Sequence, residues 1–298
     1  MKTFIRSDGG VLPFVEGFRE RLLSSRAAVT PKPNWSDADY QLAADTKRKR
    51  LRRLAADLKQ WHSNLKGARV LDVGCGDGAS CLLLAEAEPI EYAVGIDLTL
   101  PALTTDERGK RTVRLLSRIT GGRSDLPARF SVMDGTQMAF GNDSFDVVLS
   151  RSAMEHIKPI DRAVREMIRV TRRGGVIYLG IDPFFWLRGC HKRGLVDIPW
   201  AHARLSLEEF ARLVAASEGN DAAQKRHRRL ETLNRLTVAE WRACVEQAAC
   251  EILAWKLKPS QLGEQLLAEQ PAIMDTVLPG ISSVDLLTER IEVWLRKK

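Results

Sequence analysis

From residue 68 onward the chain alternates short, unbroken apolar runs with stretches whose apolar residues recur at helical spacing. A run that is apolar throughout suits a strand buried on both faces, so this rhythm predicts an α/β fold: a doubly wound, largely parallel sheet covered by helices on both sides. The candidate strands are RVLDVG (69–74), YAVGID (92–97), RFSVMD (129–134), FDVVLS (145–150) and VIYLGID (176–182), with helices over 79–87, 101–119 and 161–171 between them. Gly67, Gly121, Gly122, Gly174 and Gly175 punctuate the joins. Two later segments, CEILAWKL (250–257) and RIEVWLRK (290–297), alternate apolar and polar residues instead. That period predicts an antiparallel pair closing the sheet, around a small helical insertion over 258–288.

Upstream of the sheet, Ser36 reads as the N-cap of a charged helix running to about residue 65, with Tyr40, Ala44, Leu51, Leu54, Leu58 and Trp61 as its apolar stripe. Before it, Val11, Leu12, Phe14, Val15 and Phe18 read as a short helix, followed by the extended stretch VTPKPNW. After Asp182, the segment IDPFFWLRGCHKRGLVDIPWAHARLSLEEF is irregular and partly helical, and Phe184, Phe185, Trp186 and Trp200 suit a cover over a site. Thr237 and Glu240 form a T-x-x-E capping box that opens one more helix. The organisation expected is a helical extension or lid (1–66), a core (67–182), a covering insertion (183–236) and a closing helix and hairpin (237–298).

Composition narrows the class. With 298 residues, 44% hydrophobic and 28% charged, the chain is long enough for a full-sized core and reads as a soluble globular protein. Asp8, Glu16 and Glu20 interrupt the opening residues before any signal-type apolar core forms, so a cytoplasmic location is expected. The five cysteines, Cys75, Cys81, Cys190, Cys244 and Cys250, fit reduced thiols, and no pair of them has metal-ligand spacing. The net charge of +8 is concentrated in the runs TKRKRLRR and KRHRR. Such runs attract phosphates, but solvated helix faces produce them more often, so nucleic acid is not the expected partner.

The most informative stretch is VLDVGCGDGAS, a buried strand followed by glycines at 74, 76 and 78 that open a helix. Glycine permits positive backbone angles and close approach of a ligand. Gly74, Gly76 and Ala79 also satisfy G-x-G-x-x-G/A, which brings a nicotinamide or flavin dinucleotide into consideration. Charge separates the readings. Asp72 and Asp77 would repel a pyrophosphate over this turn, whereas S-adenosylmethionine (SAM) places a sulfonium and an ammonium there. Two further acids end strands. Asp97 can accept both ribose hydroxyls, with Leu98 against the adenine, and Asp134 can accept from the adenine amino group, with Gly135 letting the base come close. Together they describe one crevice at the switch point of an open sheet.

In this order, VLDVGCGDG, VGIDLT, MDGTQMAFGNDSFDVVLSRSAMEHI and VREMIRVTRRGGVIYLGID resemble the signature segments of class I SAM-dependent methyltransferases, in the branch of ubiquinone and menaquinone biosynthesis enzymes. The resemblance implies a Rossmann-like seven-stranded sheet, six strands parallel and one antiparallel, with helical insertions. One departure is Arg173, where the family usually has Pro. Carried over by position, Asp72, Gly74, Cys75 and Gly76 surround the methionine part of SAM. Asp97, Leu98, Asp134 and Gly135 hold the ribose and adenine, while Ser150 and Arg151 border the methionine group and the acceptor.

Methyl transfer from a sulfonium is an in-line displacement, in which alignment supplies much of the rate, and an oxygen or nitrogen acceptor must also lose a proton. The candidate bases are Glu155 and His156, which the resemblance puts beside the acceptor, and His191 and His202 in the covering segment. GCHKRGLVDIPWAH is similar to a segment found after the fifth strand in a subset of the family. Ser152 and Ala153 stand where a second carboxylate would be needed, so no metal is expected. The reading at this level is a methyltransferase acting on a small molecule, most simply at oxygen. The alternatives are an RNA methyltransferase and a protein that binds SAM or a nucleotide without turnover.

Overall fold

The computed structural model describes residues 2–24, 35–62 and 64–298, so the expected extended stretch VTPKPNW lies, apart from Trp35, outside the described residues. The chain divides into two compact units, one of Met1–Thr30, Ile181–Ala243 and Lys256–Ile291, the other of Pro31–Gly180, Cys244–Trp255 and Glu292–Lys298. This division cuts across the four segments read from the sequence.

The first unit opens with a hairpin of β1 (Thr3–Ile5) and β2 (Val11–Pro13), paired Thr3 to Pro13, Phe4 to Leu12 and Ile5 to Val11. Helix α1 (Phe18–Ser24) follows. The short helix expected around residues 11–18 is therefore a strand and then a helix. Gly9, at φ 84°, and the Arg6 N–H donating to the Gly10 carbonyl (2.8 Å) turn the chain back at S-D-G-G, a turn signal the apolar count had hidden.

The second unit carries most of the sheet. Helix α2 (Asp37–Trp61) begins at the Ser36/Asp39 capping box and stops short of residue 65. Its stripe of Tyr40, Ala44, Leu51, Leu54 and Leu58 is buried in one core with Leu83, Leu84, Leu115 and Ile119. Strands β3 (Arg69–Val73), β4 (Tyr92–Asp97), β5 (Ala128–Val132), β6 (Phe145–Arg151), β7 (Thr171–Ile181), β8 (Cys250–Pro259) and β9 (Thr288–Lys297) form one sheet in the order β5-β4-β3-β6-β7-β9-β8. The pairs β3/β4, β4/β5, β3/β6 and β6/β7 are parallel. Between strands lie α3 (Ala79–Ala87), α4 (Glu107–Thr120) and α5 (Ile160–Val170). The order reverses at β3, because β4 and β5 extend to one side of it and β6 to the other. A crevice therefore opens at the carboxyl end of β3, where the crossovers leave in opposite directions.

Two boundaries differ from expectation for local reasons. The helix expected over 101–119 breaks into a 3₁₀ turn (Pro101–Leu103) and α4, because the Asp106 carboxylate accepts from Gly109 N (2.8 Å) and starts a new cap. β7 starts at Thr171 rather than residue 176; Lys297 on the neighbouring β9 donates to the Thr171 carbonyl (2.7 Å) and the Arg169 carbonyl (3.1 Å), which holds the early residues in line.

Downstream in the first unit come α6 (His191–Gly194), α7 (Ala201–Arg204), α8 (Leu207–Glu218) and α9 (Asn220–Glu231). Helix α10 (Val238–Glu246) starts at the Thr237/Glu240 box, and α11 (Gln261–Glu269) and α12 (Ser283–Leu287) fill the expected insertion between β8 and β9. Phe184, Trp186, Trp200 and Phe210 are buried in this unit's own core.

Candidate active site

The three glycines of the turn after β3 have φ of 76° (Gly74), 58° (Gly76) and 80° (Gly78), the left-handed region that an L side chain rarely enters. Space demands glycine as well: a Cβ on Gly74 would lie 2.3 Å from the Ala153 Cβ, and one on Gly78 would lie 2.5 Å from the Phe130 ring. The backbone is held from below, with Gly74 N and Cys75 N both donating to the Ile96 carbonyl (2.8 and 3.0 Å). Gly74→Ala is expected to cost about 2–4 kcal/mol, the sum of left-handed strain and overpacking against Ala153. Urea unfolding of that variant measures it, and a loss below about 1 kcal/mol would contradict the geometry.

Asp72 lies at the carboxyl end of β3, 3% exposed, and its Oδ1 has no hydrogen-bond partner among the described residues. Burial pushes its carboxyl up to about 7, with nearby Arg151 pulling down and Asp77 and Asp97 pushing up. A buried acid with an orphaned oxygen is costly in isolation and is relieved by a cation set against it. Asp97 ends β4 and accepts from Gly76 N through Oδ2 (2.9 Å) and from Thr99 N through Oδ1 (3.1 Å). Each oxygen keeps a second lone pair for a ligand hydroxyl. Leu98 beside it is 67% exposed, an apolar surface at the strand end. Asp134 folds the chain after β5, its Oδ1 accepting from Thr136 N and Oγ1 (both 2.8 Å).

The structure corrects the charge argument at Asp77. Its carboxylate is paired with Lys47 of α2 at 2.7 Å, so the case for a cationic ligand rests on Asp72 and not on this residue. Lys47 was visible in the sequence only as part of a basic run. Phe130 also escaped notice: it is half-exposed and lies across Gly78 and Gly95, a second apolar plate beside the turn.

Other expected residues take different places. Ser150 is fully buried and its Oγ donates to the Val73 carbonyl (2.8 Å), so it ties β6 to the end of β3 rather than bordering a ligand. The Cys75 side chain packs toward Gly95, and burial, followed by Asp72, raises its thiol far above the ordinary value, so this residue contributes backbone and not reactivity. Gly135 is demanded by packing, since a Cβ there would meet Val73 Cγ1 at 2.9 Å. Arg151, the last residue of β6, acts electrostatically on Asp72.

Buried Glu155 and half-buried His156 sit on a 3₁₀ turn (Met154–His156) directly after Ala153, the residue that packs over Gly74. That brings both to the edge of the glycine turn. His191 and His202 belong to the other unit, His191 opening α6 at φ 55°. His202 is not placed as a base: it is 4% exposed, its Nε2 donates to the Trp186 carbonyl (3.1 Å), and burial depresses its pKa to about 4. The ring stacks edge-on to Phe184 at 5.2 Å, which makes it an anchor of the aromatic cluster. Phe184, Phe185 and Trp186 are likewise buried. A proton NMR titration is expected to show no inflection of the His202 ring between about pH 5.5 and pH 8; one near 6.5 would restore it as a base.

Residues 71–179 match a family described as a methyltransferase domain. Demethylmenaquinone methyltransferase of Roseiflexus castenholzii is 34% identical over 109 residues, 37% of this chain and 40% of that protein. The 2-methyl-6-phytyl-1,4-hydroquinone methyltransferase of Synechocystis sp. is 32% identical over 163 residues (51% and 46%), and ajmaline N-methyltransferase of Rauvolfia serpentina 30% over 114 residues (38% and 36%). The chain thus spans less than half the length of these relatives. A Galdieria sulphuraria structure described as a sarcosine dimethylglycine methyltransferase, 15% identical, superposes with a TM-score of 0.52 over 84% of this chain and 86% of that one, a likeness of fold. With the strand order, the glycine turn and the acids at the strand ends, these matches make residues 71–179 a methyltransferase domain of the class I, SAM-dependent family.

Proposed function

We propose that the chain is a methyltransferase that moves the methyl group of SAM to a small-molecule acceptor, at oxygen, in the cytoplasm. The observation that carries the reading is the buried, orphaned carboxylate of Asp72 under a glycine turn, with Asp97 and exposed Leu98 one strand away. When bound, SAM supplies a methyl group on a sulfonium, which leaves as a neutral thioether. Asp72 faces the ammonium of the amino-acid end, and Lys47, held by Asp77, offers a cation for its carboxylate. Asp97 accepts the two ribose hydroxyls, Leu98 covers one face of the adenine, and Asp134 accepts from its amino group. Glu155 and His156 stand beside the turn to receive the acceptor's proton.

The relatives support a small acceptor, since their names specify demethylmenaquinone, 2-methyl-6-phytyl-1,4-hydroquinone and ajmaline. Among the described residues no disulfide joins the five cysteines, and no helix is long and apolar enough to cross a membrane. The basic runs lend less to RNA than their composition suggested. Arg48 donates to the Arg118 and Ile119 carbonyls (3.1 and 2.6 Å) at the end of α4.

The reading is tested with tritium-labelled SAM and fractionated cell extract, beside calorimetry with S-adenosylhomocysteine. Label is expected in a fraction resistant to protease and ribonuclease. Label confined to RNA would replace the acceptor class, homocysteine-product binding without any transfer would leave only a binding protein, and no binding at all would remove the donor site.

A further inference from the structure

The run KRHRR, which the donor site leaves unused, lies on α9 and splits by helical position. Arg226 points inward: it is 5% exposed, pairs with Glu218, and donates to the carbonyls of Arg193 (2.6 Å) and Leu195 (2.6 Å). His227 and Arg228 instead line an open groove of about 710 Å³ between α8 and α9. Its floor is Ala211, Ala215 and Ala223, so the space exists because no side chain longer than a methyl group fills it. The volume falls within the roughly 300–1,000 Å³ of pockets that hold small molecules.

Arg212 and Arg228 stand on opposite helices around this floor. Among the described residues neither has a carboxylate within ion-pair distance: Arg212 donates to the Ile5 carbonyl (3.1 Å) and lies over the Phe4 ring (5.2 Å), and Arg228 Nε donates to the Gln224 carbonyl of its own helix (3.4 Å). Each guanidinium therefore keeps several N–H donors for something else. The ring contact and the bond to the Ile5 carbonyl restrict Arg212, so less freedom is lost when an anion is gripped. The other ionisable groups facing the groove are Glu208 and His227; Glu208 feels His227 and Arg235, and His227 Nε2 lies 3.5 Å from Glu231. Arg212, Arg228 and Arg235 against Glu208 and Glu231 leave the rim positive above an apolar floor.

We propose that the α8–α9 groove is a binding site for a small anionic amphiphile, a sulfonate, carboxylate or phosphate carried on a compact apolar body. The anion bridges Arg212 and Arg228, and the apolar body rests on the three alanines. None of the donor-site residues takes part.

The test uses the full chain and the fluorescent probe 1-anilinonaphthalene-8-sulfonate, with the uncharged N-phenyl-1-naphthylamine as its partner. The sulfonate probe is expected to bind saturably at one site, and Arg212→Gln or Arg228→Gln to weaken it at least tenfold while leaving the uncharged probe unchanged. Ala215→Leu, which fills the floor, is expected to abolish both. S-adenosylhomocysteine affinity and circular dichroism should stay as in the unaltered chain, separating this site from the donor site and from misfolding. Equal probe affinity in both arginine variants, no saturable binding, or displacement of the probe by single-stranded RNA through these same arginines would overturn the proposal.

Discussion

Asp97→Ala is expected to weaken S-adenosylhomocysteine binding about a hundredfold. The side chain makes two charge-assisted hydrogen bonds to ribose in the proposed complex, each worth about 1.5–3 kcal/mol, and the lower bound for the pair converts to about two decades in affinity. Part of the loss could be indirect, because the same carboxylate holds Gly76 N and Thr99 N and so shapes the turn. A ligand pair separates the two contributions. The unaltered chain should prefer adenosine to 2′,3′-dideoxyadenosine, and Asp97→Ala should bind them alike. Undiminished discrimination in the variant would refute the ribose assignment even if overall affinity fell. Asp97→Asn keeps the shape but turns an amide NH₂ toward a backbone donor, so it should fall nearer to Ala than to Asp.

The second large effect concerns pH. Asp72 titrates at about 7 in the protein, raised from 3.8 mainly by burial. A ligand ammonium favours the ionised form, so below about pH 7 the site must release a proton before binding. Affinity for S-adenosylhomocysteine should be flat at higher pH and fall as pH drops through 7, approaching a tenfold loss per unit. Calorimetry in buffers of different ionisation enthalpy should show about half a proton released at pH 7 and almost none near pH 8.5.

Stability runs the opposite way. Between 3.8 and about 7 the native state holds this proton more tightly than the unfolded chain, so the group's contribution declines as pH rises through that window, by about 4 kcal/mol in all. Asp72→Asn should therefore stabilise the ligand-free protein at pH 8 while weakening donor binding there, and it should bind with little pH dependence. A variant that binds as tightly as the original at pH 8, or that loses stability, would show that Asp72 serves packing and not the donor.

The core elements were legible because their signals are local. A short apolar run rich in β-branched residues, such as Val147, Val148 and Leu149, suits a strand covered on both faces, and G-C-G-D-G can only turn as it does with glycine. Asp72, Asp97 and Asp134 were recognisable together because strand ends in an open parallel sheet converge on one crevice. The N-terminal hairpin was misread because Val11 to Phe18 is too short for period 2 and period 3.6 to be told apart, and only cross-strand pairing of Ile5 with Val11 decides it.

Side-chain direction was the part that could not be read along the chain. Ser150 and Cys75 lie beside residues that face the crevice, yet one turns to the Val73 carbonyl and the other to Gly95. His202 carries the same imidazole as any base, and only its burial against Phe184 and the Trp186 carbonyl takes it out of that role. By itself the amino-acid order determined the α/β architecture, the glycine turn and the choice of a cationic donor over a dinucleotide. Tertiary structure alone decided which acid stays available to a cation, since Lys47 comes from a distant helix to pair with Asp77 while burial leaves Asp72 Oδ1 without a hydrogen-bond partner among the described residues. Backbone conformation follows from neighbours in sequence, whereas charge and hydrogen bonding depend on what folding brings within a few ångströms.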